Sequence, residues 1–152
     1  MTTESTGLTW TAPKEWKLGE KRPMRIATYV VGEKGELAVF YFGEGQGGDP
    51  DLNIDRWKRQ FKLPEGSKEA VKETKREVRG MTVRIVDVRG TYTNPGGPMM
   101  ESQGDLPDYR LLGAIVMGPK GSVFFKFTGP AKTVADNEKA FNALIGSLEK
   151  AK

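Results

Sequence analysis

The chain spells out one structural unit twice: a strand, a Gly-x-Lys-Gly turn, a second strand, and then a helix. The first copy runs Tyr29-Val-Val-Gly-Glu-Lys-Gly-Glu-Leu-Ala-Val-Phe-Tyr-Phe-Gly43, followed by a helical pattern over Asn53 to Phe61. The second runs Ala114-Ile-Val-Met-Gly-Pro-Lys-Gly-Ser-Val-Phe-Phe-Lys-Phe127, with a helical pattern from Thr133 onward. Hairpins that each feed a helix specify an antiparallel sheet with helices packed on it, an α+β architecture.

Two segments say how that sheet is covered. Leu37 to Phe42 is apolar at every position, and Leu111 to Met117 is interrupted only by Gly113 and Ala114. A strand with no polar face is central and covered on both sides. An α/β/α sandwich around a twisted antiparallel sheet follows. Its expected strands are 24–31, 37–42, 69–79, 81–93, 109–117 and 122–128. In the last of these Val123, Phe125 and Phe127 alternate with Ser122, Lys126 and Thr128, and Phe124 breaks the pattern. Val83, Ile85, Val86 and Val88 change parity midway, which predicts a bulge near Ile85 and Val86. Gly80 marks a tight turn.

Val134, Phe141, Leu144, Ile145 and Leu148 share one helical stripe after the Gly129-Pro130 breaker, and Ile54, Trp57 and Phe61 share another. The expected core comprises Leu37, Val39, Phe40, Phe42, Leu112, Ile115, Phe125, Phe141, Leu144 and Leu148. Trp10 and Trp16 flank Pro13 and are read as closing one end of that core, each indole N–H needing one acceptor. No linker divides the chain, so residues 1–7 read as a flexible tail and 8–152 as a single globular domain.

Composition removes most chemistries. With no histidine, the 152-residue chain has no Ser-His-Asp site and no imidazole metal ligand. With no cysteine, it has no disulfide, thiolate nucleophile or Cys-held zinc. No cofactor and no metal are therefore expected, and no catalytic motif stands out. No apolar run approaches the roughly 20 residues of a membrane helix. The polar start Met-Thr-Thr-Glu-Ser-Thr-Gly lacks a signal-peptide core. It fits a cytoplasmic protein, or an envelope protein whose signal has been removed.

The net charge is +4, from 24 basic and 20 acidic residues. The densest run, Lys68 to Arg79, alternates Lys68, Lys72, Lys75, Arg76 and Arg79 with Glu69, Glu73 and Glu77. Interspersed acids cancel the field a polyanion needs, so nucleic acid is not an expected partner. A charged sheet edge that resists pairing with other molecules is the reading.

Two loops carry the candidate binding residues. Gly43-Glu-Gly-Gln-Gly-Gly-Asp-Pro50 joins a buried strand to a helix and offers Gly45, Gln46, Gly47 and Gly48. The P-loop Lys-Ser/Thr pair is missing, and Asp49, Asp51 and Asp55 would repel phosphate. Asp49, Asp51, Asn53 and Asp55 alternate like the start of an EF-hand, but Ile54 and Gln60 stand where that loop needs Gly and Glu. Helix capping accounts for these acids. The second loop, 94–108, offers Met99 and Met100, adjacent thioethers suited to an adaptable contact. Cu(I) is disfavoured for want of His or Cys beside them.

At the level of element order the chain resembles the PsbP-like superfamily, which includes the photosystem II extrinsic subunit and a Ran-binding protein. The resemblance rests on Trp10-Thr-Ala-Pro-Lys-Glu-Trp16, like that family's early Pro-x-x-Trp segment, and on the hairpins, the helix after the first hairpin and the closing helix. The wording of Ala-Val-Phe-Tyr-Phe-Gly-Glu-Gly-Gln-Gly-Gly and Tyr-Arg-Leu-Leu-Gly-Ala-Ile is similar to uncharacterised bacterial proteins, many of them exported or lipid-anchored. The resemblance implies a non-catalytic binding or assembly role. The absence of His and Cys, together with two unusual loops, points to a non-enzymatic binding or accessory domain that meets a protein partner through loops 43–52 and 94–108. The alternatives are a small-ligand or calcium-binding protein at the glycine loop, or a carboxylate-dependent enzyme using Glu44, Asp49 or Asp51 with Tyr41 or Arg56. The oligomeric state is left open.

Overall fold

The structure is a computed structural model that describes residues 7–19, 25–43, 49–62, 71–93 and 105–150. The elements are β1 (Leu8–Thr9), β2 (Lys17–Leu18), β3 (Arg25–Val31), β4 (Gly35–Phe40), α1 (Pro50–Arg59) and β5 (Phe61–Lys62). They continue with β6 (Val71–Val78), β7 (Met81–Tyr92), β8 (Leu106–Gly118), β9 (Gly121–Pro130), α2 (Ala131–Asp136), α3 (Glu138–Gly146) and β10 (Glu149–Lys150). Parts of the expected strands at Met24, Glu69 and Ala70, and most of the tail, lie outside the described residues.

One eight-stranded antiparallel sheet runs in the order β2-β3-β4-β9-β8-β7-β5, with β6 also pairing along β7. The two written-out hairpins are β3–β4 and β8–β9, and they lie side by side through β4 and β9. A separate ribbon pairs β1 with β10. The β6–β7 turn places both Arg79 and Gly80 at positive φ, 48° and 81°, the geometry of a two-residue type I′ hairpin. β6 forms an edge, and its outward charges leave it almost wholly exposed, as the mixed run from Lys68 implied.

Both faces of the sheet are covered. On one side α2, α3 and Trp16 seal Tyr29, Val31, Leu37, Val39, Val83, Leu112, Ala114, Val116, Val123, Phe125 and Phe127. On the other, α1 places Ile54 and Trp57 against Val86, Val88, Leu111, Ile115 and Phe124. Double coverage explains the parity change in β7. Pairing with β8 runs without a break from Val83 to Gly90, so Val83 and Ile85 face one layer while Val86 and Val88 face the other. The expected bulge at Ile85 and Val86 is absent; the register shifts between Gly90 and Tyr92 instead.

Gly113 is where α1 comes closest. A Cβ there would sit 2.6 Å from Trp57 Cε3, so only glycine lets the indole lie flat on β8.

Helix bounds differ from the sequence reading in three places. α1 begins at Pro50, because Asp49 caps it by accepting from the Asp51 N–H at 2.7 Å and Pro fits the first turn. Phe61 has left the helix for β5, yet its ring stays buried beside Trp57. The closing helix is split at Asn137, which ends α2 and precedes α3, and Leu148 lies beyond the helix although it is fully buried.

Of the expected core, Phe40 and Phe42 are only half-buried, because α1 does not reach across the whole of β4; the others are buried. The tryptophans close the core as expected. Trp10 Nε1–H donates to Tyr29 Oη at 3.1 Å, and Trp16 Nε1–H donates to Asn137 Oδ1 at 3.2 Å.

Candidate functional site

Gly45, Gln46, Gly47 and Gly48 of the first loop, and Met99 and Met100 of the second, lie outside the described residues, as does Glu44. The described ends show that both loops are shorter than the sequence reading drew them. Pro50, Asp51 and Leu52 already form the first turn of α1, and Leu106, Pro107 and Asp108 belong to β8. The two loops leave opposite ends of α1. The first precedes its N-cap Asp49, and the second departs from Thr93, whose N–H and hydroxyl both donate to Gln60 O at the helix C-terminus. Lys62 and Asp105 form an ion pair at that same end.

The remaining candidates of the acidic and enzymatic readings are engaged separately. Asp49 caps α1, Asp51 meets Arg84 Nη2 at 2.6 Å, and Asp55 lies 3.9 Å from Lys58. Asn53 is buried and accepts from Arg56 Nη2 at 2.6 Å, while Tyr41 Oη donates to Lys120 O. Among the described residues no cluster of acids has metal-holding geometry. The alternating acids are a capped helix start.

What the structure brings together is a different set of residues, on the α1 side of the sheet. The side chain of Lys126, in the middle of β9, points from the sheet toward the C-terminal end of α1. There Nζ donates to Gln60 Oε1 at 2.6 Å and stands 5.7 Å from the centre of the Tyr92 ring. Tyr92 stacks on Tyr109 at 5.9 Å, with the planes only 5° apart, and meets the Phe61 ring at a tilt at 5.1 Å. From β3 and β4, Arg25 Nη1 donates to Glu36 Oε1 at 2.8 Å and its guanidinium lies 5.4 Å from the Phe40 ring centre. Arg56 approaches from the exposed side of α1.

The electrostatics of this set are lopsided. Burial lowers the Lys126 ammonium to about 8, helped by the positive charges of Arg25 and Arg56 and opposed by Glu36. Burial also pushes the Tyr92 hydroxyl up to about 12, so it stays a proton donor through the physiological range. Tyr109 is raised for the same reason. The face is basic, holds neutral phenols, and leaves Lys126 with a neutral amide and a ring as partners.

The other face holds a buried cation of the opposite kind. Arg110 on β8 donates from Nε and Nη2 to Asp87 at 2.9 and 2.7 Å, and from Nη2 to Glu138 at the start of α3 at 2.6 Å. Those hydrogen bonds, Asp87 first, hold the guanidinium more firmly charged than usual against the cost of burial. It ties α3 to the sheet.

The sequence reading set Lys126 among the polar residues that alternate with Val123, Phe125 and Phe127. The signal that this position is covered was Phe124, which breaks the alternation because its side of the sheet is also covered.

An antiparallel sheet enclosed by α1 on one side and α2 and α3 on the other defines an α/β/α sandwich. It is the PsbP-like fold. The chain matches the solution structure of cyanobacterial PsbP (CyanoP) from Synechocystis sp. PCC 6803 with a TM-score of 0.60 and 12% sequence identity, over 97% of this chain and 88% of that one. No protein-family model and no curated protein sequence matches the chain. At this identity the likeness carries the fold, and the site stands on its own geometry.

Proposed function

We propose that this protein is a non-enzymatic binding or accessory domain whose protein partner contacts the α1 side of the sheet. The observation that carries the reading is the incomplete cover on that side. Trp57 occupies the β8–β9 part, while toward β3 the face shows half-buried Arg25, Glu36 and Phe40 and leaves Val30 48% exposed. The opposite face is sealed by α2, α3 and Trp16. Loops 43–52 and 94–108 leave from the two ends of α1, so Gly45, Gln46, Gly47, Gly48, Met99 and Met100 are proposed at the rim of this surface. The PsbP-like fold supports an accessory role. Of the carboxylates of the rival enzymatic reading, Asp49 caps α1 and Asp51 pairs with Arg84, which favours binding over acid–base work, while Glu44 lies outside the described residues.

No described helix is long and apolar enough to cross a membrane. Capture from the native host with a photocrosslinker at Val30 should trap a specific protein that a crosslinker on exposed Lys139 of α3 does not trap. Met99→Ser with Met100→Ser should weaken that complex. Equal crosslinking from both positions would refute the assignment of the face, and unchanged binding of the double variant would remove the second loop from it.

A further inference from the structure

Lys126 is a sheltered charge that the described part of the molecule leaves without an ion-pair partner. Its ammonium reaches a neutral amide oxygen and an aromatic ring, and no carboxylate of the described residues stands within ion-pair distance of it. A sheltered charge normally finds an opposite charge, because loss of hydration costs more than a single neutral hydrogen bond returns. Arg110, on the other face of the same sheet, meets that requirement with two carboxylates.

Around Lys126 the groups add positive charge instead. Arg25 from β3 and Arg56 from α1 lie close enough to oppose its protonation, and only Glu36 from β4 favours it. Glu36 is itself held by Arg25 Nη1. Tyr92 from β7 and Tyr109 from β8 contribute hydroxyls that remain protonated, and Gln60 contributes an amide. Ammonium, guanidinium, amide N–H and phenol are all donors. Gathered on one half-buried floor beside flat aromatic surface, they form the complement of a small oxyanion.

We propose that the floor formed by Lys126, Arg56, Arg25, Gln60, Tyr92 and Tyr109 is a binding site for a small-molecule oxyanion, a carboxylate or a phosphate, which supplies the counter-charge that no carboxylate among the described residues gives Lys126. The site sits beneath the surface assigned to the protein partner and does not depend on that assignment. The ligand's charge pairs with Lys126 and Arg56, and a flat apolar portion, where present, lies toward the Tyr92 and Tyr109 rings. Occupation strengthens protonation of Lys126, so binding and protonation rise together. Affinity falls as pH climbs through the lysine's midpoint, by up to tenfold per unit.

The test follows the lysine side-chain carbons by NMR in isotopically labelled protein, while inorganic phosphate and benzoate are added separately to tens of millimolar at neutral pH. The expected result is a saturable shift of the Lys126 resonances with at least one probe, weaker at pH 9.5 than at pH 7. Benzoate binding more tightly identifies a carboxylate ligand, and phosphate binding more tightly a phosphorylated one. Arg56→Gln, at an exposed helix position, should weaken binding severalfold with the fold intact, and Lys126→Met should abolish it. If neither probe moves Lys126, or if Lys126→Met folds and its Tyr92 and Tyr109 ring resonances shift with the probes as the parent's do, the proposal is overturned. Should Lys126→Met fail to fold, an unchanged affinity in Arg56→Gln would still overturn it.

Discussion

The two faces of the sheet each hold a buried or half-buried cation, and they treat it oppositely. Arg110 lies under α2 and α3 with Asp87 and Glu138 gripping its guanidinium, and its charged form is reinforced. Lys126 lies under the end of α1 with Gln60 and a tyrosine ring as its partners among the described residues, and its charged form is weakened. Arg110 acts as a fastener whose partners are already in place. Lys126 has the electrostatics of a site waiting for one. A pKa driven down by burial and like charge marks function more readily than one driven up by a complete ion pair.

Breaking the sealed side should have the largest effects. Phe141 is wholly buried and stacks on Phe127 at 6.0 Å, so Phe141→Ala should cost about 3–5 kcal/mol by chemical denaturation. That is a large part of the roughly 5–15 kcal/mol typical of a domain. Asp87→Ala leaves the Arg110 guanidinium short of its main partner, and should cost about 3–5 kcal/mol as well. An Asp87→Ala protein as stable as the parent would mean that Arg110 is no fastener, and the contrast between the faces would collapse.

On the α1 side the effects should be smaller. Gly113→Ala drives a methyl into the Trp57 ring and should cost about 1–3 kcal/mol, with a change in tryptophan fluorescence as the indole is displaced. Asp49→Ala removes the helix cap and should cost about 1 kcal/mol in the same assay. Loss of helix cooperativity from Gly113→Ala without any change at Trp57 would show that α1 is not anchored there.

The order of elements and the doubled hairpin were legible because they depend on periodicity and turn chemistry, both local. Leu37 to Phe42 and Leu111 to Met117 had no polar face; Leu37 to Val39 and Leu111 to Val116 are buried from either side, while Phe40, Tyr41, Phe42 and Met117 are half-buried. The same double cover concealed what lay beneath it. In β7, Val83 to Val88 looked like a strand changing face, because apolar residues on two covered faces imitate a bulge. In β9, Lys126 read simply as one of the polar residues alternating with Val123, Phe125 and Phe127. That β7, β8 and α1 with its C-cap would bring Tyr92, Tyr109, Arg56 and Gln60 around it is a property of long-range pairing, spaced too widely in sequence to announce itself. Asp49 was legible as the cap of α1, since capping depends on a few neighbouring residues, whereas the pairing of Asp51 with Arg84 of β7 was not.

Removing the charge should act in the reverse direction from the other substitutions. Lys126→Met is expected to raise the melting temperature at pH 7, by about 2–4 °C for each kcal/mol of charge burial relieved. The pH dependence fixes the sign. With a folded midpoint of about 8 against 10.5 for a free lysine, both states hold the proton below 8 and the cost of burial is fully present. Between those values the unfolded chain holds more proton, so parent stability rises with pH. Above pH 10 Tyr92 works against this, because its midpoint of about 12 makes the folded state the better proton holder. The variant should lack the rise between 8 and 10, and a variant that keeps it would assign the dependence to another group.

The titration of Lys126 itself tests the difference between the two faces most directly. Its side-chain carbons, followed by NMR in the free protein without added phosphate or carboxylate, should report a midpoint near the about 8 that its surroundings impose. A midpoint at the ordinary lysine value of 10.5 would contradict the account, because Lys126 would then be as well satisfied as Arg110 and the α1 side would hold no vacant charge.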